Sequence, residues 1–100
     1  MKLAKAKLVT IVIENDLKDK LITDIKTFHV KGYTVKEAKG EGLNSKNFDQ
    51  WSGGNSSIEI IVMEDKAIKI LELLNKKYIS KYSCIVYTTD VEVMRAEKFS

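Results

Sequence analysis

The sequence predicts an α+β fold of order β-α-β-β-α-β: a four-stranded antiparallel sheet, two helices on one face, and a long loop between the second and third strands. Three observations carry this. Two apolar repeats of helical spacing, within residues 17–28 and 67–79, are each set between short β-type segments. Apolar residues alternate with period two in "SSIEIIVME". One connection, "KGEGLNSKNFDQWSGGNSS", is too polar and too glycine-rich to belong to either kind of element.

Taken in order, residues 8–14 are rich in Leu, Val and Ile and too short for a typical helix, so they read as a buried strand. Asn15 or Asp16 makes a good N-cap. Leu17, Leu21, Ile22, Ile25 and Phe28 follow at helical spacing, giving an amphipathic helix to about Val30 with Gly32 as its C-cap. "GYTVKEAKG", bounded by Gly32 and Gly40, is the second strand. In the third, Ile58, Ile60 and Val62 point one way while Glu59, Ile61 and Met63 point the other. From Glu64 or Asp65 a second helix places Ala67, Ile68, Leu71, Leu74, Tyr78 and Ile79 inward, with Lys66, Lys69, Glu72, Lys76 and Lys77 on the exposed side. "SCIVYTTDVEVMR" closes the order as a long or interrupted strand with a bend expected at Thr89 and Asp90. This is the ferredoxin-like split βαβ arrangement. Its second sheet face carries apolar residues such as Ile61 and Met63 that need a cover, for which oligomerisation is a natural solution.

The composition narrows the function. One hundred residues, 44% hydrophobic and 31% charged, read as one soluble domain over 1–100, and no apolar run approaches the roughly 20 residues that span a bilayer. Lys5 and Lys7 break the basic start before it can resemble a signal peptide, so the protein is expected in the cytoplasm. A single cysteine, Cys84, excludes an internal disulfide and reads as a small core residue in a strand. A net charge of +3, spread among carboxylates, does not point to nucleic acid, and "SIEIIVM" lacks the aromatics of an RNA-binding sheet. His29, the only histidine, reads as a partly exposed residue in the last turn of the first helix, where the helix dipole favours it. Glu14, Asp16, Asp19, Asp24, Glu64, Asp65 and Glu72 read as caps and solubilising charge. Neither a catalytic nor a metal site is expected.

"KGEG" is the remaining signal. Gly40 and Gly42 flank Glu41, letting the backbone turn its amides towards an anion, or simply letting the strand turn into the loop. The residues alone leave both readings open. There is no third glycine opening a helix and no Gly-Lys-Ser/Thr, so this is neither a dinucleotide fingerprint nor a P-loop. In the loop beyond, Phe48 and Trp51 are available as anchors for a partner or for local packing.

"KGYTVKEAKGEG", the polar loop, "SIEIIVMEDKAIKILELLNKKYI" and "YTTDVEVMRAEKF" together resemble the PII-like signalling proteins, especially the branch linked to inorganic carbon in bacteria. The resemblance implies a homotrimer with nucleotide sites in the clefts between subunits. It makes residues 43–55 a flexible T-loop that changes with the ligand and presents a surface to a target, such as a bicarbonate transporter or another protein of carbon metabolism. It nominates Thr34, Gly40, Glu41, Gly42 and Leu43 near the base, Tyr87 on the same cleft, and Lys46, Arg95 and Lys98 towards phosphates. Lys46 is the only basic residue of this loop, where relatives of that branch carry arginines. "NKKYISKYS" replaces the glycine-rich, lysine-bearing loop of nitrogen-sensing PII proteins. AMP, ADP or cyclic AMP is thereby favoured over ATP with magnesium and 2-oxoglutarate, and bicarbonate is a further candidate effector. The rival from another class is a small ferredoxin-like enzyme with weak nucleotide hydrolase activity, Glu41 or Asp90 handling water. A third, a trimeric metal-tolerance domain, has one histidine and one cysteine to work with.

Overall fold

A computed structural model describes residues 1–39 and 54–100. Strand β1 (Ala4–Glu14) leads to helix α1 (Asn15–Lys26), strands β2 (Thr34–Ala38) and β3 (Asn55–Val62), helix α2 (Glu64–Leu74), a π-helical turn (Asn75–Ile79), strand β4 (Ile85–Val93) and a 3₁₀ turn (Ala96–Lys98). The strands form one sheet in the order β2-β3-β1-β4 with every neighbouring pair antiparallel. This is the ferredoxin-like order that the sequence predicts.

β1 is the organising strand because it pairs on both edges. Val9 lies opposite Ile60, and Ile11 lies between Ile58 and Val86. Period-two alternation then turns Val9, Ile11, Ile13, Ile58, Ile60 and Val62 to one face, all of them buried. Leu21 and Ile25 of α1, Ala67, Ile70 and Leu74 of α2, and Tyr78 cover that face and complete the core. Burying each large aliphatic side chain here contributes about 1.5–3 kcal/mol.

Several elements differ from expectation for identifiable reasons. β1 starts at Ala4, ahead of the apolar run, because Lys5 and Lys7 stand opposite Glu92 and Asp90 of β4, and opposite charges across a ladder are favourable. β4 runs straight through Thr89 and Asp90, for β1 offers it an unbroken row of partners and threonine suits a pleated backbone. The N-cap of α1 is Glu14, with no side-chain cap bond. Asn15 instead sends its amide to the Gly54 carbonyl at 3.1 Å, and its Oδ1 accepts from Ser56 Oγ. α1 stops at Lys26, and the left-handed residue beyond it is His29 (φ 61), not Gly32. Met63 is the N-cap of α2 rather than the last residue of β3. In α2 the buried positions are Ala67, Ile70 and Leu74, three and four apart, which leaves Ile68 50% exposed; Ile79 is exposed as well. Cys84 precedes β4 instead of lying in it, and partial burial pushes its thiol up to about 11.

Asp24 departs most from its expected role. Tyr78, whose side chain is wholly buried, donates its hydroxyl to Asp24 Oδ2 at 2.6 Å, and Lys77 Nζ lies 3.6 Å from the other carboxylate oxygen. The carboxylate ties α1 to the π-helical turn instead of facing solvent. Burial first, and the bond to Asp24 second, push the Tyr78 phenol above its ordinary value.

Two predictions follow from this packing. Tyr78→Phe removes a hydrogen bond to a charged group, so urea unfolding should show a loss of about 1.5–3 kcal/mol. The raised phenol adds stability that is complete below pH about 10, the ordinary tyrosine value, and is lost as pH rises beyond it. The gap between wild type and variant should therefore narrow in alkaline buffer, and a gap independent of pH would refute the assignment. His29→Gly relieves a side chain held in the left-handed region, and should raise stability by about 0.5–1 kcal/mol in the same assay.

Candidate functional site

The helices cover only one of the two sheet faces. Across the other, one register row runs Thr34 (β2), Glu59 (β3), Thr10 (β1) and Tyr87 (β4). Leu8, Ile61, Ile85 and Val91 share that face by parity, and Ile85 and Tyr87 are 47% and 53% exposed. Thr34 and Tyr87 stand on opposite edge strands, three strand spacings or about 14 Å apart.

A cleft of about 290 Å³ opens on the β2 side of this face. The sheet supplies Leu8, Glu59, Ile61 and Thr34, while Lys31 and Tyr33 come from the segment entering β2. Lys98 and Phe99 come from the C-terminal turn. That turn reaches the cleft because Arg95 adopts a left-handed conformation (φ 58) just after β4 and reverses the chain. It is fastened at several points. The Met63 amide donates to the Phe99 carbonyl at 3.2 Å, and Lys31 Nζ donates to the Glu97 carbonyl at 3.0 Å. Lys66 Nζ bridges the His29 carbonyl (3.2 Å) and the main-chain oxygen of Ser100 (3.1 Å), tying the turn to the connection after α1.

The charges in the cleft are unevenly settled. Glu59 pairs with Lys36 at 3.1 Å. Among the described residues, neither Lys31 nor Lys98 has a carboxylate partner within ion-pair distance. The cleft thus combines an apolar floor, two aromatic side chains, a hydroxyl and two cations, a surface suited to an anion with a flat apolar body.

A second cleft, of about 340 Å³, lies on the helix-side face at the opposite edge and is lined by Lys5, Lys7, Glu64, Asp90 and Glu92. Lys7 Nζ is bonded to Asp90 Oδ1 there. That hydrogen bond, reinforced by the charge, holds the Asp90 carboxyl below the usual carboxylate range and the Lys7 ammonium above its own. A carboxylate held ionised in this way is a poor base for activating water.

Of the residues singled out in the sequence, Thr34 and Lys98 meet in the first cleft. Tyr87 shares their sheet face at the far edge, and Arg95 is exposed at the turn without lining the cleft. Gly40, Glu41, Gly42, Leu43, Lys46, Phe48 and Trp51 lie outside the described residues, as does most of the 43–55 loop. Sequence reasoning missed Lys31, Glu59 and Phe99. Lys31 had a signal, for it directly precedes "GYTV"; the other two are brought in by strand register and by the reversal at Arg95. Among the described residues no three or more His, Cys, Asp or Glu side chains gather as a metal site, and no helix is long and apolar enough to cross a membrane.

Fold and cleft define a ferredoxin-like α+β protein with an anion-receptive groove on its open sheet face. Residues 6–98 match the family model of nitrogen regulatory protein P-II, and the chain belongs to that family of signalling proteins. A PII-like signalling protein from Thermus thermophilus is similar at 40% identity and a TM-score of 0.85, with 100% of both chains covered. CPII, a nitrogen regulatory PII-like protein from Thiomonas intermedia solved with ADP, AMP and bicarbonate, is 27% identical with a TM-score of 0.80, over 98% of this chain and 100% of that one. The same protein bound to ADP, AMP and acetate gives 28% identity and a TM-score of 0.81, over 99% and 98% of the two chains. No curated protein sequence matches the chain.

The Lys7–Asp90 pair carries a pH signature. Because the folded Asp90 carboxyl is depressed, the stability it adds is present above its ordinary value of about 3.9 and is lost as pH falls through the folded value. Melting temperatures of wild type and Asp90→Asn should differ at neutral pH and converge on acidification below about pH 4. Parallel curves across the whole range would show that the pair does not stabilise the fold.

Proposed function

We propose that the chain is a non-enzymatic signalling protein, one PII-like unit over residues 1–100. In this reading it binds an adenine nucleotide in the clefts between the subunits of a homotrimer and acts on a target through residues 43–55. The observation that carries it is the row from Thr34 to Tyr87. Both residues lie on the sheet face away from the helices, yet at about 14 Å they are too far apart for one chain to hold an adenine between them. A cyclic trimer joins unlike surfaces, so the β4 edge of one subunit can meet the β2 edge of the next. That contact brings a Tyr87 to a Thr34 and buries apolar residues such as Ile61 and Ile85.

AMP and ADP are the favoured ligands. They have the flat apolar body and the anionic end that the first cleft suits, and both are bound by CPII. ATP and cyclic AMP remain in the ligand set, and the bicarbonate bound by CPII supports a link to carbon metabolism, with a bicarbonate transporter as one target. Gly40, Glu41, Gly42 and Leu43 then complete the base site, with Lys46 and Arg95 joining Lys98 at the phosphates and Phe48 and Trp51 anchoring the target. The protein works in the cytoplasm and meets a membrane only through its partner. The hydrolase alternative is weakened by the ion pair that holds Asp90.

Calorimetry with AMP, ADP, ATP and cyclic AMP tests the sensing role, and the absence of binding by all four overturns it. Light scattering should give the mass of a trimer. Thr34→Ala and Tyr87→Ala should each weaken AMP binding, the second by about ten-fold through lost stacking. Co-refolding the two variants should restore a fraction of full-affinity sites, since a shared site can draw its two intact halves from different chains. No recovery in mixed trimers would mean that each site belongs to one chain.

A further inference from the structure

Two cations reach the first cleft from unrelated parts of the chain, Lys31 before β2 and Lys98 in the C-terminal turn. Neither has a carboxylate partner among the described residues, while Glu59, the one carboxylate that these residues bring to the cleft, is held by Lys36 at 3.1 Å. Like charges lining one small cleft repel each other unless an anion enters. Lys31 is also oriented. It spends one of its three donors on the Glu97 carbonyl at 3.0 Å, a neutral acceptor, and keeps two for a ligand. The bond that orients Lys31 is made to Glu97, the residue beside Lys98, so it ties the two cations to the same turn.

Resting on the nucleotide reading above, we propose that Lys31 and Lys98 together form the phosphate clamp of this cleft. The clamp makes the protein selective for phosphorylated ligands over the free nucleoside. Lys31 is the new member. The Glu97 carbonyl positions it, and the left-handed turn at Arg95 supplies the path that brings Lys98 alongside. A phosphate oxygen makes charge-assisted bonds to both ammonium groups, each roughly twice as strong as a neutral one. An adenosine lacking the phosphate makes neither.

The experiment measures AMP and adenosine binding side by side on the full chain, wild type against Lys31→Met, Lys98→Met and Lys31→Arg. Lys31 is exposed, so its variants are expected to fold, and their melting temperatures check this. Each Met variant should lose about ten-fold or more in AMP affinity with adenosine binding unchanged, while Lys31→Arg keeps most of the preference for AMP. If Lys31→Met lowers AMP and adenosine affinity equally, or leaves both untouched, the clamp is refuted and the nucleotide reading stands. If the wild type binds neither compound, both fall together.

Discussion

The double pairing of β1 is the constraint on which everything else rests. A central strand flanked on both edges cannot slip, because a shift of one residue would carry Val9, Ile11 and Ile13 out from under the helices and bring Leu8, Thr10 and Val12 in. Its register fixes that of β3 and β4, and through β3 that of β2. Once three apolar side chains of β1 are committed to the core, the identities of the residues on the other face are settled without any further choice. Thr34, Glu59 and Tyr87 share that face because the core needed Val9, Ile11, Ile58 and Ile60 on the first.

Core and candidate site are therefore separated by the thickness of the sheet. The helix-side face holds the buried aliphatic cluster and the Tyr78–Asp24 bond, which stabilise the chain by itself. The open face carries half-exposed aliphatic and aromatic residues that give little stability until something covers them. The C-terminal turn belongs to the second region. Lys31 and the Met63 amide hold it through the backbone carbonyls of Glu97 and Phe99 rather than through carboxylates. Backbone carbonyls carry no net charge, so fastening the turn does not neutralise the cations that line the cleft.

How much of this was legible in the sequence depends on the range of the interaction. Element order follows from periodicities that local sequence expresses directly, and the shared face of residues 58, 60 and 62 is legible because an unbulged strand alternates its two faces. Errors arose where a partner distant in sequence decided. Local sequence makes β1 look short because the lysines that extend it are matched only by Asp90 and Glu92, more than eighty residues on. Asp24 was read as solvated because the tyrosine that claims it sits on another helix. Ile68 was placed inside because residues 67, 68 and 71 share a helical stripe as readily as 67, 70 and 74 do, and only the position of the sheet selects between them. In the site, family resemblance reaches Thr34 and Lys98, whereas Lys31, although it stands beside "GYTV", is tied to the tail by a hydrogen bond that only the fold brings about.

The cleft also bears on the phosphate recognition proposed for this chain. Arginine presents a rigid fork that matches a phosphate two bonds at a time, and lysine a compact charge whose donors rotate. Both cations that line the cleft are lysines, so the geometry of recognition has to come from what holds them rather than from the side chains. For Lys31 that is the Glu97 carbonyl, and for Lys98 the reversal at Arg95, whose left-handed backbone a residue other than glycine adopts only at a cost. For the proposed clamp, selectivity would depend on the C-terminal turn staying in place. A substitution that unfastens it, even one remote from the ligand such as at Lys66, would act on affinity by releasing the lysines from their positions rather than by removing a contact.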